Sequence, residues 1–197
     1  MKRVFAAAVC AVLMATGAYA KTFSGTFNIS GDAFSDPGLV INTHPSSGGG
    51  SFDLDAGESK TFKLFHIWTN ESYINYGEDT VPQSIDVAFN FAGVGSGSIN
   101  GQSVGSKIYY GLFQGGHVSW NNPLVLSFGH NETLTLSLSD KYFNWGLFGT
   151  FPGYKHGAHV KLTATYDVAP VPLPASALLL LGGVAGLGLM RRRRKAA

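Results

Sequence analysis

Residues 158–168 read Ala-His-Val-Lys-Leu-Thr-Ala-Thr-Tyr-Asp-Val, and this stretch decides the fold. Ala158, Val160, Leu162, Ala164, Tyr166 and Val168 alternate with His159, Lys161, Thr163, Thr165 and Asp167. Successive side chains of a strand point to opposite faces, so this period of two predicts a β-strand with one buried and one wet face. The pattern recurs upstream. Ile85, Val87, Phe89 and Phe91 alternate with Ser84, Asp86, Ala88 and Asn90, and Leu134, Leu136 and Leu138 with Thr133, Thr135, Ser137 and Ser139. Strands that are wet on one side belong to antiparallel sheets. Phe23, Phe27 and Ile29 predict a first strand, residues 60–68 another with apolar side chains on both faces, and 106–113, 117–120 and 124–128 shorter ones. Asn100-Gly101 reads as a type I′ hairpin turn, Gly115-Gly116, Gly129-His130-Asn131 and Asp140-Lys141 as further turns, and Ser46–Ser51 as a flexible loop. No long stretch between the two ends carries a 3.6-residue period. The expectation is an all-β, antiparallel sandwich, jelly-roll-like, of roughly eight to ten strands in one domain over residues 21–168.

The two ends have a different character. Met1-Lys2-Arg3 precedes an apolar run from Val4 to Ala15, followed by Thr16-Gly17-Ala18-Tyr19-Ala20. A charged start, a short apolar helix and small residues at 18 and 20 predict a secretory signal peptide over 1–20, cut between Ala20 and Lys21 by signal peptidase. Cys10 would leave with it, and the mature chain would carry no disulfide, thiolate metal site or cysteine nucleophile. At the other end, residues 169–197 hold Val171-Pro172-Leu173-Pro174-Ala175, an uncharged stretch over 175–190, and Arg191, Arg192, Arg193 and Arg194. Sixteen residues reach about 24 Å as a helix, slightly short of a hydrocarbon core of about 30 Å. Arginine side chains that snorkel close such a gap, and the arginines predict a cytoplasmic stop with the body outside.

The charge follows the same division. The chain has 14 Lys+Arg and 12 Asp+Glu, a formal +2. Half of those cations lie at the two tips, and all the acids lie between Asp32 and Asp167, so residues 4–190 carry −5. Nucleic-acid binding needs clustered Lys and Arg, and an acidic body argues against it.

A short proline motif, an apolar helix and a terminal arginine cluster, in that order, resemble the PEP-CTERM sorting signals of Gram-negative bacteria. Val171-Pro172-Leu173-Pro174-Ala175 matches the VPLPA-type variant letter for letter. The resemblance covers residues 171–195. It implies recognition by an exosortase, a membrane intermediate held at the inner membrane, and final placement on the outer surface or in extracellular matrix. It also implies association with exopolysaccharide or with surface proteins. Between the ends, Gly57-Glu58 with Phe62, Thr69-Asn70-Glu71, Asn100-Gly101, Trp120-Asn121-Asn122-Pro123 and Thr163-Ala164-Thr165-Tyr166 occur in an order similar to that of ectodomains carried by such proteins. That likeness implies a β-sandwich and transfers no activity.

Candidate sites within the body are sparse. His156 and His159 have the look of a metal pair, but zinc wants three or four ligands, and His44, His66, His117 and His130 are scattered along the chain. Asp53 and Asp55 with Glu58, and Asp32 with Asp36, offer oxygens for Ca²⁺, the one cofactor kept open, though no EF-hand loop shapes them. No motif pairs two carboxylates for glycoside hydrolysis, and no Gly-x-Ser-x-Gly elbow is present, so no enzyme is expected. Residues 142–154 are rich in aromatics and glycine and alternate poorly. Tyr142, Trp145, Phe148 and Tyr154 either pack as core and rim or present rings to a sugar or a protein partner. The expected function is therefore that of an exported, matrix-associated structural or adhesive protein. The alternatives are a carbohydrate- or calcium-dependent binding module and a matrix hydrolase.

Overall fold

The computed structural model describes residues 20–169. Most of the expected signal peptide, with Ala18, lies outside the described residues. So do the sorting motif Val171–Ala175, the apolar stretch 175–190 and Arg191–Arg194. Among the described residues no helix is long and apolar enough to cross a membrane.

The described chain is all-β. Its strands are β1 (Lys21–Ser30), β2 (Ile41–His44), β3 (Ser47–Leu54), β4 (Ser59–Thr69), β5 (Gln83–Phe91), β6 (Gly95–Ile108), β7 (Phe113–Trp120), β8 (Leu124–Phe128), β9 (Glu132–Leu138), β10 (Lys141–Leu147) and β11 (Ala158–Val168). Two single 3₁₀ turns, Asp32–Phe34 and Tyr154–His156, complete it. The strands form a six-stranded sheet in the order β10-β7-β6-β5-β1-β3 and a five-stranded sheet in the order β2-β4-β11-β9-β8. Every pairing is antiparallel.

The period-two stretches place the core. Ile85, Val87, Phe89 and Phe91 face inward from the first sheet, and Leu134, Leu136, Val160, Leu162, Ala164 and Tyr166 meet them from the second. Phe23 stacks on Phe52 and meets Tyr166 edge-on, with ring centroids 5.6 and 5.2 Å apart. Burying one such ring stabilises the fold by about 1.5–3 kcal/mol relative to leaving it exposed.

Several sequence expectations are corrected. Asn100-Gly101 is not a turn but the middle of β6, opposite Asp86 and Ile85. Gly101 is there because the Trp120 ring lies over it, and a Cβ would stand 2.6 Å from that ring. Gly115-Gly116 is likewise inside β7, with Trp145 covering the first glycine and Phe143 the second. Ser46–Ser51 is not a free loop, since residues from Ser47 onward form β3, held to β1 in continuous register. The strand expected over 106–113 is interrupted: β6 ends at Ile108, and residues 109–112 make the turn into β7. Within 142–154, the first half is strand β10.

Candidate functional site

Lys21 and Ala169, near the two limits of the described residues, lie at one end of the sandwich. The Lys21 ammonium lies 2.6 Å from the Glu132 carboxylate and 4.4 Å from the centre of the Phe128 ring. Val168 pairs with Glu132, and the Ala169 N–H donates to the Asn131 carbonyl at 2.8 Å. The opposite end is built from the turn at 109–112, the segment 70–82 that follows β4, and the loop after β10. The Phe148 N–H donates to the Leu112 carbonyl, and the Thr150 N–H to the Ser72 carbonyl.

That far end exposes rings. Tyr110 is fully exposed, Tyr76 88%, and Tyr109 and Phe148 74% each, beside half-exposed Tyr73 and Phe151. Tyr73 lies under the Lys107 ammonium, 3.9 Å from the ring centre. Tyr109, Tyr110 and Phe148 all have positive φ, between 49° and 59°. Bulky residues rarely take this conformation, and such outliers cluster at functional sites.

Asn144 organises the loop that carries Phe148 and Phe151. It is fully buried, with φ 53°, at a bulge where β10 slips in register against β7. Its side-chain oxygen accepts the Thr69 N–H at 2.9 Å, and its amide donates to the Phe151 and Gly153 carbonyls. The bulge has a second consequence. Tyr142 and Trp145, three residues apart, project from the same outer face, while Phe143 between them enters the core. Tyr142 stacks on His117 with centroids 4.3 Å apart, and Trp145 meets Tyr142 edge-on at 5.8 Å. With Ser106 and Ile108 of β6 they border an open trough of about 460 Å³. Gly115 of β7 lies beneath the Trp145 ring. The Trp145 indole N–H is buried and has no acceptor among the described residues.

The four aromatics expected as one group are therefore divided. Tyr142 and Trp145 share the trough, Phe148 belongs to the far end, and Tyr154 packs on the other sheet against His66 and Trp68. His156 and His159 separate too. His156 ends the second 3₁₀ turn against Phe151, while His159 faces His66. Burial, His66, Lys63 and Lys161 together hold His159 below the usual histidine range.

The acidic candidates do not converge either. Asp53 accepts the Thr22 hydroxyl at 2.5 Å, and the Glu58 carboxylate turns back to the Asp55 N–H at 2.8 Å and to Lys60. Asp32 accepts the Ser84 hydroxyl at 2.9 Å. A different acidic cavity, of about 530 Å³, is lined by Asp36, Glu71, Glu78 and Asp79 with Asn42, Asn70 and Asn75. Glu71, Glu78 and Asp79 come from the one segment 70–82, and Asp36 joins them from the connection between β1 and β2. The Glu71 carboxyl is pushed up to about 7, chiefly by burial and further by Asp79 and Asp36, against the opposing pull of the Val40 N–H. Asp79 is buried and accepts the Asn75 N–H at 2.6 Å. Among the described residues no three His, Cys, Asp or Glu side chains converge on one point. No protein family, curated protein or solved structure matches the chain.

Proposed function

We propose that this chain is an exported, non-enzymatic protein of the cell surface or extracellular matrix, which adheres through the ring-bearing end of its β-sandwich. Export runs through the signal peptide over 1–20, and sorting through residues 171–175, where an exosortase would act while 175–190 and Arg191–Arg194 hold the chain at the inner membrane. The observation that carries the adhesive part is the placement of Tyr76, Tyr109, Tyr110 and Phe148, exposed at the end opposite Lys21 and Ala169. Exposed apolar patches on a folded domain usually mark a contact surface. β1 begins at Lys21, the residue the expected cut would leave first, and this supports the domain boundary. The chain crosses between the sheets at most of its connections, which supports the jelly-roll-like reading, and the β5-β6-β7 meander departs from it.

A narrower reading names carbohydrate as the ligand, bound in the Tyr142–Trp145 trough. Its support is an open trough bordered by the Tyr142 and Trp145 rings, which face outward from one strand. A hydrolase has less behind it, since Glu71 and Asp79 are each already engaged by a backbone N–H.

Two experiments test the proposal. Replacing Pro172 and Pro174 by alanine is expected to leave export intact and block sorting, and a variant processed normally would refute the role of the motif. Tyr110→Ser with Phe148→Ser is expected to release sorted protein from the matrix, whereas Tyr142→Ala lowers retention on matrix polysaccharide only if the trough binds sugar. Retention unchanged in the variant carrying both Tyr110→Ser and Phe148→Ser would refute the adhesive reading.

A further inference from the structure

Three histidines far apart in sequence stand side by side on the outer face of the five-stranded sheet. The register pairs His44 of β2 with His66 of β4, and His66 with His159 of β11. Residues directly opposite each other in antiparallel strands project to the same face, with Cα atoms about 4.5–5.5 Å apart. That face is the outward one, because the sequence neighbours Phe65, Ile67 and Val160 are buried in the core.

His66 is the middle member, and it is 7% exposed. Its Nε2 lies 2.8 Å from the Tyr154 carbonyl oxygen. A carbonyl only accepts, so the ring proton sits on Nε2 and the lone pair on Nδ1. Nδ1 is buried and has no hydrogen-bond partner. A histidine whose second ring N–H is fixed on a backbone carbonyl has the orientation and tautomer of a metal ligand. The His159 ring stands next to it, with centroids 4.5 Å apart and planes at 69°. Two imidazoles bound to one tetrahedral ion through nitrogens at 2.0–2.1 Å hold their centroids about 5 Å apart, so the pair is within a small adjustment of that geometry. Tyr154, at 4.2 Å, and Trp68, at 6.0 Å, flank the His66 ring. His44, the exposed third member of the row, is not gathered with the pair in this structure, and binding one ion through all three requires its side chain to swing toward them.

We propose that His44, His66 and His159 bind one divalent transition-metal ion of the imidazole-preferring class, Zn²⁺ or Cu²⁺. Neutral imidazole donors suit these ions, whereas Ca²⁺ and Mg²⁺ want oxygen. The next pair along the same face, Lys63 opposite Lys161, adds positive charge and no oxygen donor. Three imidazoles leave a fourth position to water or to a donor from a partner.

The test is calorimetric titration of the whole chain with Zn²⁺, in a Cys10→Ser background that removes the single thiol, together with the absorption spectrum of the Co²⁺ form. One ion per chain and a tetrahedral Co²⁺ spectrum are expected. Both His159→Gln and His44→Gln, at exposed positions, should lower the affinity at least tenfold, while His117→Gln and His130→Gln leave it unchanged. Absence of heat at millimolar Zn²⁺ overturns the proposal, and so does an affinity that His159→Gln leaves in place.

Discussion

Replacing Asn144 by alanine should detach the loop that carries Phe148 and Phe151, and the cost can be worked from its contacts. The buried Thr69 N–H loses its only side-chain acceptor, and an unsatisfied buried donor costs about 1–3 kcal/mol. The Phe151 and Gly153 carbonyls lose a donor, but both residues lie near solvent and water replaces much of that bond. Alanine at φ 53° adds about 1–2 kcal/mol that asparagine largely avoids. The total is about 2–5 kcal/mol, a large fraction of an ordinary domain's stability. Urea unfolding followed by tryptophan fluorescence measures it as a shift in midpoint at unchanged slope. Asn144→Gly separates the two contributions, since it relieves the backbone and still loses every side-chain bond. It should recover about 1–2 kcal/mol relative to alanine and no more. An alanine variant within about 1 kcal/mol of the wild type, or a glycine variant as stable as the wild type, would refute the assignment of Asn144 as the tie between β4, β10 and the loop.

Other perturbations follow from the same contacts. A carboxyl whose folded pKa is raised keeps its proton in the native state, so Glu71 contributes stability fully below its ordinary 4.5 and loses it as pH rises through about 7. Glu71→Gln keeps an acceptor for the Val40 N–H and carries no charge. It should match the wild type in Tm near pH 4 and exceed it near pH 8, and a difference independent of pH would count against the shift. Gly101→Ala drives a methyl group to 2.6 Å from the Trp120 ring and from the Ser119 carbonyl, and should cost about 1–3 kcal/mol in denaturant unfolding. A neutral result there would mean that β6 and β7 yield more easily than their packing implies. Lys21→Gln removes the partner that, with Tyr166, holds the Glu132 carboxyl below its usual range, so the stability it contributes is present at neutral pH and lost as pH falls through the folded value. For this partly exposed pair the loss should be about 1 kcal/mol or less at neutral pH, shrinking in acid.

The sheets were legible in the sequence wherever one face is buried, as in β5, β9 and β11, because burial imposes the period of two. Strand β3 was not, since Gly48, Gly49 and Gly50 carry no side chain and leave no pattern to read. Asn100-Gly101 misled for a related reason. The dipeptide has turn chemistry, but glycine was required there by the Trp120 ring that lies over it, and this contact depends on register between strands rather than on neighbours in sequence. The short motifs at Gly57-Glu58, Thr69-Asn70-Glu71 and Trp120-Asn121 are joints of the fold. The Gly57 N–H donates to the Tyr166 carbonyl, the Asn121 N–H to the Asn100 carbonyl, and the Thr69 hydroxyl and the Glu71 carboxylate both bind the backbone of Val40. The histidine row was illegible for the same cause as Asn100-Gly101: residues 44, 66 and 159 meet only through the order β2-β4-β11.

The inversion of turn chemistry bears directly on function. The chain spends its Asn-Gly inside a strand and closes the β6–β7 connection with Tyr109 and Tyr110, both left-handed. Each such tyrosine costs about 1–2 kcal/mol in backbone conformation, a cost that glycine or asparagine would avoid. Neither ring recovers it by burial, since Tyr109 is mostly and Tyr110 fully exposed. Phe148 repeats the arrangement on the adjoining loop, tied to this turn through the Leu112 carbonyl. Strand β11 spans about 35 Å from the far end to the end that holds Lys21 and Val168, so these rings stand at the opposite end of the domain from both. A local rule broken three times at one end of a fold, with no gain to its core, is accounted for by a gain outside it. Rings left this exposed by their own domain have most of their surface available to pack against something else.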